Sequence, residues 1–279
     1  MSAITRLQLN DGHHIPQFGL GVWQTPADET AQVVKTALDL GYRHIDTAAI
    51  YGNEEGVGQA IAQAGLPRDE LFVTTKLWNA DQGYDSALRA FDTSLAKLGL
   101  EHVDLYLIHW PLPAEGNYVE SWKQLLKLKE QGLAKSVGVC NFQIPHLQRL
   151  IDETGVAPTV NQIELHPSLP QRQLHAWNAT HRIATESWSP LAQGGDGLFD
   201  QPLIEKLAKK YDKTPAQIVI RWHLDNGLIV IPKSVTPKRI HENFNVFDFK
   251  LDKEELSAFT KLDTGTRLGP DPDDANAFK

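Results

Sequence analysis

Four side chains with complementary acid-base chemistry stand at or just after the ends of short apolar runs: Asp46, Tyr51, Lys76 and His109. A lysine ammonium group beside a phenol favours the phenolate, and therefore lowers the pKa of the phenol from about 10 toward neutrality. Such a tyrosine is suited to donate a proton to a carbonyl oxygen while a hydride reaches the carbonyl carbon. Asp46 would supply the anion that a buried Lys76 needs, and His109 would hold the substrate oxygen.

Each of these residues also has an ordinary structural explanation. Asp46 could cap the turn that it begins, and Tyr51 could be a core aromatic residue with a hydrated hydroxyl. Lys76 could be a strand-end charge, and a lone histidine such as His109 is more often a satisfied core residue. The catalytic interpretation gains weight because all of them would meet at one mouth if the strands were neighbours in a barrel.

The elements that must position these residues are visible as alternating strand and helix patterns. Eight apolar runs are predicted to be strands, near Phe18–Gly21, Tyr42–Asp46, Leu71–Leu77, Val103–Trp110, Ala134–Val139, Thr159–Ile163, Ile183–Trp188 and Leu228–Ile231. Several are apolar over most of their length, which is typical of parallel strands covered on both faces. Helical spacing is found in Asp28–Leu40, Tyr84–Leu98, Tyr118–Gly132, Pro145–Glu153 and Thr214–Asn226.

Eight strands that alternate with helices predict an α/β fold, a (β/α)₈ TIM barrel, as one domain over residues 1–279. An open doubly wound sheet is the alternative. The turn Asn10-Asp11-Gly12 lies between two short alternating segments, Thr5–Leu9 and His14–Phe18, and predicts an N-terminal β-hairpin.

Composition excludes several classes of function. The chain carries 27 Lys+Arg against 35 Asp+Glu, a net charge of −8, so a diffuse nucleic-acid-binding surface is not expected. Cys140 is the single cysteine, which excludes an intrachain disulfide, and the eleven histidines show no zinc-ligand spacing, so we expect no metal. The chain has no apolar run of about 18 residues and no secretory leader, and we therefore expect a cytoplasmic protein without membrane spans. No Gly-x-Gly-x-x-Gly fingerprint is present.

The chain resembles the aldo-keto reductase superfamily over essentially its whole length. The resemblance is carried by Gly41–Ala48 with Tyr51–Glu54, by Leu105–Pro111, Asn161–Pro167 and Ile231–Ser234. Within the superfamily the chain is most similar to the bacterial 2,5-diketo-D-gluconate reductases, on Gln143–Gly155, Gln171–Ala179, Glu186–Gly195 and Arg267–Asp273. The resemblance implies a barrel that binds NADPH across its mouth without a Rossmann domain. It implies Tyr51 as the general acid, tuned by Lys76 and Asp46, with His109 orienting the carbonyl.

The resemblance also implies the cofactor contacts. Trp188 matches the aromatic residue that stacks on the nicotinamide, and Asn141 and Gln162 match the amides that bind the carboxamide. Cys140 stands where the family usually has serine, and a thiol is a weaker hydrogen-bond donor than a hydroxyl. The loop that follows Trp188 matches the pyrophosphate contacts, with Ser189, Leu191, Gln193 and Gly194.

The adenosine end of the cofactor matches Lys233, Ser234, Val235, Arg239 and Asn243. A 2′-phosphate brings roughly two negative charges, which a guanidinium group grips in a bidentate fashion while lysine supplies a point charge. A solvated helix start is the structural alternative for this basic pair, since Lys238 lies there too. We expect a preference for NADPH over NADH.

The substrate pocket is matched by Trp23, Ala48, Ile50, Trp78, His109 and Trp110, whose alternative role is core or rim packing. An aromatic-walled pocket with few charges suits small aldehydes and ketones. The C-terminal segment Arg267–Lys279 lacks periodic apolar spacing and is expected to fold over the mouth.

The sequence therefore predicts NADPH-dependent reduction of ketones and aldehydes. Expected substrates are 2,5-diketo-D-gluconate, reduced to 2-keto-L-gulonate, methylglyoxal-type 2-oxoaldehydes and β-keto esters. The alternatives are an aldose or xylose reductase of the same superfamily, or a non-catalytic NADPH-sensing subunit. The expected partner is a small carbonyl compound, and the resemblance suggests a monomer.

Overall fold

The eight apolar runs become the strands of one curled parallel sheet in the computed structural model, which describes residues 4–194 and 197–274. A hairpin of β1 (Arg6–Gln8) and β2 (His14–Pro16) precedes the sheet. The sheet strands are β3 (Leu20–Gly21), β4 (His44–Asp46), β5 (Phe72–Leu77), β6 (Val103–Ile108), β7 (Ala134–Cys140), β8 (Val160–Glu164), β9 (Ala184–Trp188) and β10 (Ile229–Val230). The predicted hairpin and all eight predicted strands are confirmed, with shorter bounds in most cases.

The sheet closes into a barrel. Each strand from β3 to β10 pairs in parallel with the next strand along the chain. The first and last strands meet through bridges between Phe18 and Val230 and between Gly21 and Lys233. The Gly19 amide donates to the Val230 carbonyl at 3.0 Å across this seam. This closure confirms the predicted (β/α)₈ barrel and excludes the open doubly wound sheet.

Helices connect the strands on the outside. Those of the described residues are α1 (Ala27–Leu40), α2 (Glu54–Gln63), α3 (Tyr84–Leu98), α4 (Tyr118–Glu130), α5 (Ile144–Thr154), α6 (Arg172–Thr180), α7 (Pro202–Tyr211), α8 (Pro215–Asp225), α9 (Pro237–Phe244) and α10 (Lys253–Ala258). The five helices predicted from spacing are present with bounds within two residues. Thr214 caps α8 as its sequence indicates, because its hydroxyl accepts from the Gln217 amide at 3.3 Å. No helix of the described residues is long and apolar enough to cross a membrane.

The barrel interior is apolar at one end and polar at the other. Leu9 and Ile15, from the hairpin segment, pack with Phe72, Leu105 and other buried side chains and fill the end where the strands begin. The buried polar side chains Asp46 and Lys76 lie toward the other end, where the strands finish. The hairpin therefore seals one end of the barrel, and the other end is left for chemistry.

The segment that carries Tyr51 is held between β4 and α2. The Thr47 hydroxyl donates to Asn53 Oδ1 at 2.8 Å, and Asn53 Nδ2 donates to the Val22 carbonyl at 2.9 Å. The Thr75 hydroxyl of β5 donates to the Glu54 carboxylate at 2.6 Å, where α2 begins. The position of α2 thus determines where the Tyr51 segment ends.

Helix α2 reaches this position because Gly58 lacks a side chain. A Cβ atom at Gly58 would lie 2.2 Å from the carbonyl oxygen of Leu98, at the end of α3. The obstructing atom belongs to the backbone, so no rotation of a side chain relieves the contact.

We predict that Gly58→Ala lowers the free energy of unfolding by about 1–3 kcal/mol, as in other overpacked sites. Helix propensity alone predicts the opposite, a gain of about 1 kcal/mol. Urea unfolding of the variant distinguishes the two, with the exposed neighbour Gln59→Ala as the control. A more stable Gly58→Ala protein would show that α2 and α3 are not in backbone contact.

Candidate active site

A buried ion pair lies at the centre of the barrel mouth. Lys76, at the penultimate position of β5, donates from Nζ to Asp46 Oδ1 at 2.5 Å and to the Thr47 carbonyl at 2.9 Å. The relative exposures of the Lys76 and Asp46 side chains are 0% and 2%. Burial by itself lowers the pKa of Lys76. Asp46 and Tyr51 raise this pKa by more than burial lowers it, so the net pKa lies above its ordinary value. Lys76 therefore stays charged, and its ammonium group has one direction left in which it can make a further polar contact.

That direction is toward Tyr51. Lys76 Nζ lies 3.4 Å from Tyr51 Oη. Burial raises the pKa of Tyr51 to about 12, whereas Lys76 lowers it and Asp46 raises it. The sequence-based expectation of a pKa below 10 is thus wrong in its net direction, because the loss of hydration outweighs the lysine charge. Tyr51 is a protonated phenol at neutral pH, and the proton is available for donation.

His109 completes the tetrad from the residue after β6. Its backbone amide donates to the Leu77 carbonyl at 3.1 Å, which continues the sheet pairing by one residue. Burial lowers the pKa of His109 well below 6.5, and the charge of Lys76 lowers it further. The ring centroids of His109 and Tyr51 are 5.7 Å apart. A neutral imidazole therefore stands beside the phenol, so the structure brings all four predicted residues together.

The predicted carboxamide contacts form a hydrogen-bonded chain around the tetrad. Asn141 Nδ2 donates to the His109 carbonyl at 3.0 Å, and Trp188 Nε1 donates to Asn141 Oδ1 at 2.8 Å. Gln162 Nε2 donates to Asp46 Oδ2 at 2.8 Å. Cys140 packs among the apolar side chains of the barrel, and burial raises the pKa of its thiol well above 9. The thiol is therefore uncharged.

The loop after β9 contains three non-glycine residues with left-handed backbone conformations. Ser189, Ala192 and Gln193 have φ values of 46°, 48° and 55°. Each such residue costs about 1–2 kcal/mol relative to ordinary backbone, and this kind of strain is concentrated at ligand sites. The Gly194 amide donates to the Leu191 carbonyl at 3.2 Å, which tightens the turn.

The residues predicted for the adenosine end follow β10. Lys233 and Arg239 are exposed, and neither has an ion pair within the described part of the chain. Arg239 lies in the first turn of α9, where the backbone amides of a helix favour anions. Ser234 and Asn243 are buried and Val235 is half-buried. An exposed cation in the first turn of α9 and a second one four residues before the helix are donors of the kind that a phosphate group requires.

The rim of the mouth is apolar. Trp23 and Ile50 are 51% and 43% exposed, which is unusual for side chains of this size. The Trp23 ring lies 5.0 Å from the Tyr51 ring, centroid to centroid, and the Trp78 ring lies 5.2 Å from that of His109. Two further predicted substrate contacts are less accessible, since Trp110 is 7% exposed and Ala48 is fully buried.

The C-terminal segment folds over this end of the barrel as expected. The amides of Leu268 and Gly269 donate to the two carboxylate oxygens of Glu164 at 2.7 and 3.0 Å. Gly269 lies directly on Trp188, because a Cβ atom there would be 2.4 Å from Trp188 Cη2. Residues 275–279 of the predicted segment lie outside the described residues.

Two buried carboxylates at the mouth were missed by the sequence reasoning. Glu164 ends β8 and binds the C-terminal segment, and Glu186 lies within β9. Each is an acidic residue inside an otherwise buried strand, and that pattern was the available signal. A buried carboxylate requires donors, and such donors cluster at functional sites.

Known proteins are similar to this chain over almost its whole length. A model of the aldo/keto reductase family matches residues 16–264. Methylglyoxal reductase DkgA of Yersinia pestis is 70% identical over 267 residues, 96% of each chain. Its namesake in Escherichia coli K12 is 64% identical over 273 residues, 98% of each chain. A solved structure of a Gox0644 mutant in complex with NADPH is 54% identical, with a TM-score of 0.93 over 97% of this chain and 98% of that one.

The extent of these matches decides the class of protein, which is an oxidoreductase. The chain belongs to the aldo/keto reductase family.

We predict that Lys76→Met lowers the free energy of unfolding by about 3–5 kcal/mol, because it leaves Asp46 as an unpaired buried charge. In the double variant Lys76→Met with Asp46→Asn, the free energy of unfolding should fall by less than the sum of the decreases in the two single variants. Urea unfolding of the four proteins completes the cycle. The exposed pair Lys123 and Glu120, 2.7 Å apart, is the control and should show far weaker coupling. If the coupling energies of the buried pair and the exposed pair were equal, burial would not strengthen the Lys76–Asp46 ion pair.

Proposed function

We propose that this protein is an NADPH-dependent carbonyl reductase in which Tyr51 is the general acid. The observation that carries the proposal is the position of the Tyr51 hydroxyl group, which lies 3.4 Å from the buried Lys76 ammonium group with the His109 ring beside it. These groups face an apolar rim, which suits a small carbonyl compound.

The described residues fit an extended dinucleotide phosphate. Lys233 and Arg239 are unpaired cations for the 2′-phosphate, and the strained loop Ser189–Gly194 offers a preformed backbone for the pyrophosphate. Trp188, supported by its hydrogen bond to Asn141, offers an aromatic face near the tetrad. NADPH supplies a hydride when it is bound. The solved structure of a mutant of the relative Gox0644 is a complex with NADPH, which supports the same cofactor here.

The chain's own residues supply the proton and the orientation. His109 remains neutral, so its imidazole can hydrogen-bond to the substrate oxygen without competing for the proton that Tyr51 donates. The charge of Lys76 stabilises the phenolate that Tyr51 becomes, and Asp46 holds Lys76 in place. Tyr51 would give its proton to the carbonyl oxygen, and with the hydride that bound NADPH would supply to the carbon, the product would be an alcohol.

The substrate class that we favour is the methylglyoxal-type 2-oxoaldehyde. Relatives from Yersinia pestis and Escherichia coli are named methylglyoxal reductases. The exposed Trp23 and Ile50 beside Tyr51 suit a small, uncharged carbonyl. We include β-keto esters and the reduction of 2,5-diketo-D-gluconate to 2-keto-L-gulonate as further substrates. We also propose that the enzyme is a single-domain, cytoplasmic monomer, and sedimentation analysis tests its oligomeric state.

We predict that Tyr51→Phe lowers kcat for methylglyoxal about 10²–10⁴-fold, the usual contribution of a positioned general acid. The affinity for NADPH, measured by quenching of tryptophan fluorescence, should remain unchanged within about twofold because the ring is retained. Tyr84→Phe, at a tyrosine that is 55% exposed, is the matched control and should retain activity. Retained turnover in Tyr51→Phe would remove Tyr51 as the proton donor. Tight NADPH binding by the wild type without turnover of any carbonyl would favour the sensing subunit instead.

We predict that the double variant Lys233→Ala with Arg239→Ala weakens NADPH binding about tenfold or more, since each charged hydrogen bond to the phosphate is lost. NADH lacks the 2′-phosphate, so its kcat/KM should change by less than about threefold. Lys238→Ala removes a neighbouring cation that is paired with Glu242 at 3.7 Å and is the control. An unchanged ratio of NADPH to NADH efficiency would show that the phosphate binds elsewhere.

A further inference from the structure

A second carboxylate lies inside the barrel next to the catalytic ion pair. Glu186, in the middle of β9, is fully buried. Gln162 Nε2 donates to Glu186 Oε2 at 2.9 Å and to Asp46 Oδ2 at 2.8 Å. One amide nitrogen therefore bridges two acids, and Lys76 pairs directly with only one of them, Asp46.

This bridge fixes the orientation of the Gln162 amide. The nitrogen carries two hydrogens, and each of them goes to a different carboxylate. Asp46 is thereby held from two sides, by Lys76 on Oδ1 and by Gln162 on Oδ2. Without an acceptor at position 186, the amide would lose one of the two contacts that set its rotation.

Two other titratable groups near Glu186, His44 and Cys140, are uncharged at neutral pH. His44 Nε2 lies 3.7 Å from Glu186 Oε1, and burial lowers the pKa of His44 to about 4. Burial raises the pKa of the Cys140 thiol well above 9, and a negative charge on Glu186 acts in the same direction. Burial raises the pKa of Glu186 itself to about 8, and Asp46 contributes in the same direction. The ion pair of this cluster is Lys76 with Asp46.

We propose that Glu186 is a positioning residue for the carbonyl reduction: through the shared Gln162 amide it holds Asp46, and through Asp46 it directs the Lys76 ammonium group at Tyr51. The proposal rests on the function proposed above. Glu186 does this as an uncharged acid. Its ionised form would add a second negative charge beside Asp46, which strengthens the hold of Tyr51 on its proton and slows proton donation.

The first test compares two replacements of similar size. Glu186→Leu removes the acceptor, and we expect kcat to fall about 10–100-fold with little change in KM, since a displacement of about 1 Å has effects of this order. Glu186→Gln retains an acceptor oxygen for Gln162, and we expect it to rescue kcat at pH 7 to within about threefold of the wild type. Equal losses in the two variants would overturn the proposal.

The second test uses pH. In the wild type, kcat should fall as the pH rises through about 8, because Glu186 then loses its proton. Glu186→Gln does not ionise, so this alkaline decrease should disappear in that variant. An unchanged alkaline decrease in Glu186→Gln would overturn the proposal, and this comparison does not require Glu186→Leu to fold.

A third measurement separates the positioning role from the proposed function. In the cofactor-free protein, the side-chain amide signals of Gln162 in ¹H–¹⁵N NMR should shift as the pH passes through about 8 in the wild type. They should not shift in Glu186→Gln. This shift in a protein that reduces no carbonyl would leave the bridge intact and reject only the proposed function. Its absence in an active wild-type enzyme would reject the bridge and leave the function standing.

Discussion

The site depends on one buried ion pair, Lys76 with Asp46. A lysine without solvent contact loses its hydration, and here a close carboxylate and a backbone carbonyl at 2.9 Å replace it. With those two contacts made, the remaining face of the ammonium group points at Tyr51. The same burial that makes the lysine effective also raises the pKa of the tyrosine, so the phenol keeps its proton until a substrate can take it.

The barrel supplies the geometry that this ion pair requires. Asp46 and Lys76 come from neighbouring parallel strands, and His109 follows the next strand, so their side chains emerge at the same end. The hairpin residues Leu9 and Ile15 fill the opposite end with apolar groups. Water is thereby kept from one side of the polar cluster, and its charges act in a medium of low dielectric constant.

Charge is distributed very unevenly in this protein. The net charge of −8 argues against polyanion binding by the surface as a whole. Within the described residues, Arg239 in the first turn of α9 and Lys233, four residues before the helix, nevertheless have no ion pair. A small anion responds to the local field within about one Debye length, about 8–10 Å, so two well-placed cations outweigh a distant excess of carboxylates. Inside the barrel, two buried acids lie beside one lysine that pairs with only Asp46, and the Gln162 amide donates to both acids. Burial raises the pKa of Glu186, which favours its uncharged form.

The amino-acid sequence by itself predicted the hairpin, the eight strands and the strand-end positions of the four candidate catalytic residues, because periodic burial and strand ends are local properties of the chain. Closure into a barrel rather than an open sheet was decided by pairing between the first and last strands. Only the tertiary structure decided the direction of the pKa of Tyr51, since the loss of hydration depends on what neighbouring strands cover. The bridge between Asp46 and Glu186 was equally invisible, because its three members lie on strands that are 24 to 140 residues apart and only closure of the barrel brings them together. The contact of Gly269 with Trp188 could not be predicted from the sequence either. The C-terminal segment lacks periodic spacing, and the buried Glu164 carboxylate, which accepts from the Gly269 amide, positions it only in the folded chain.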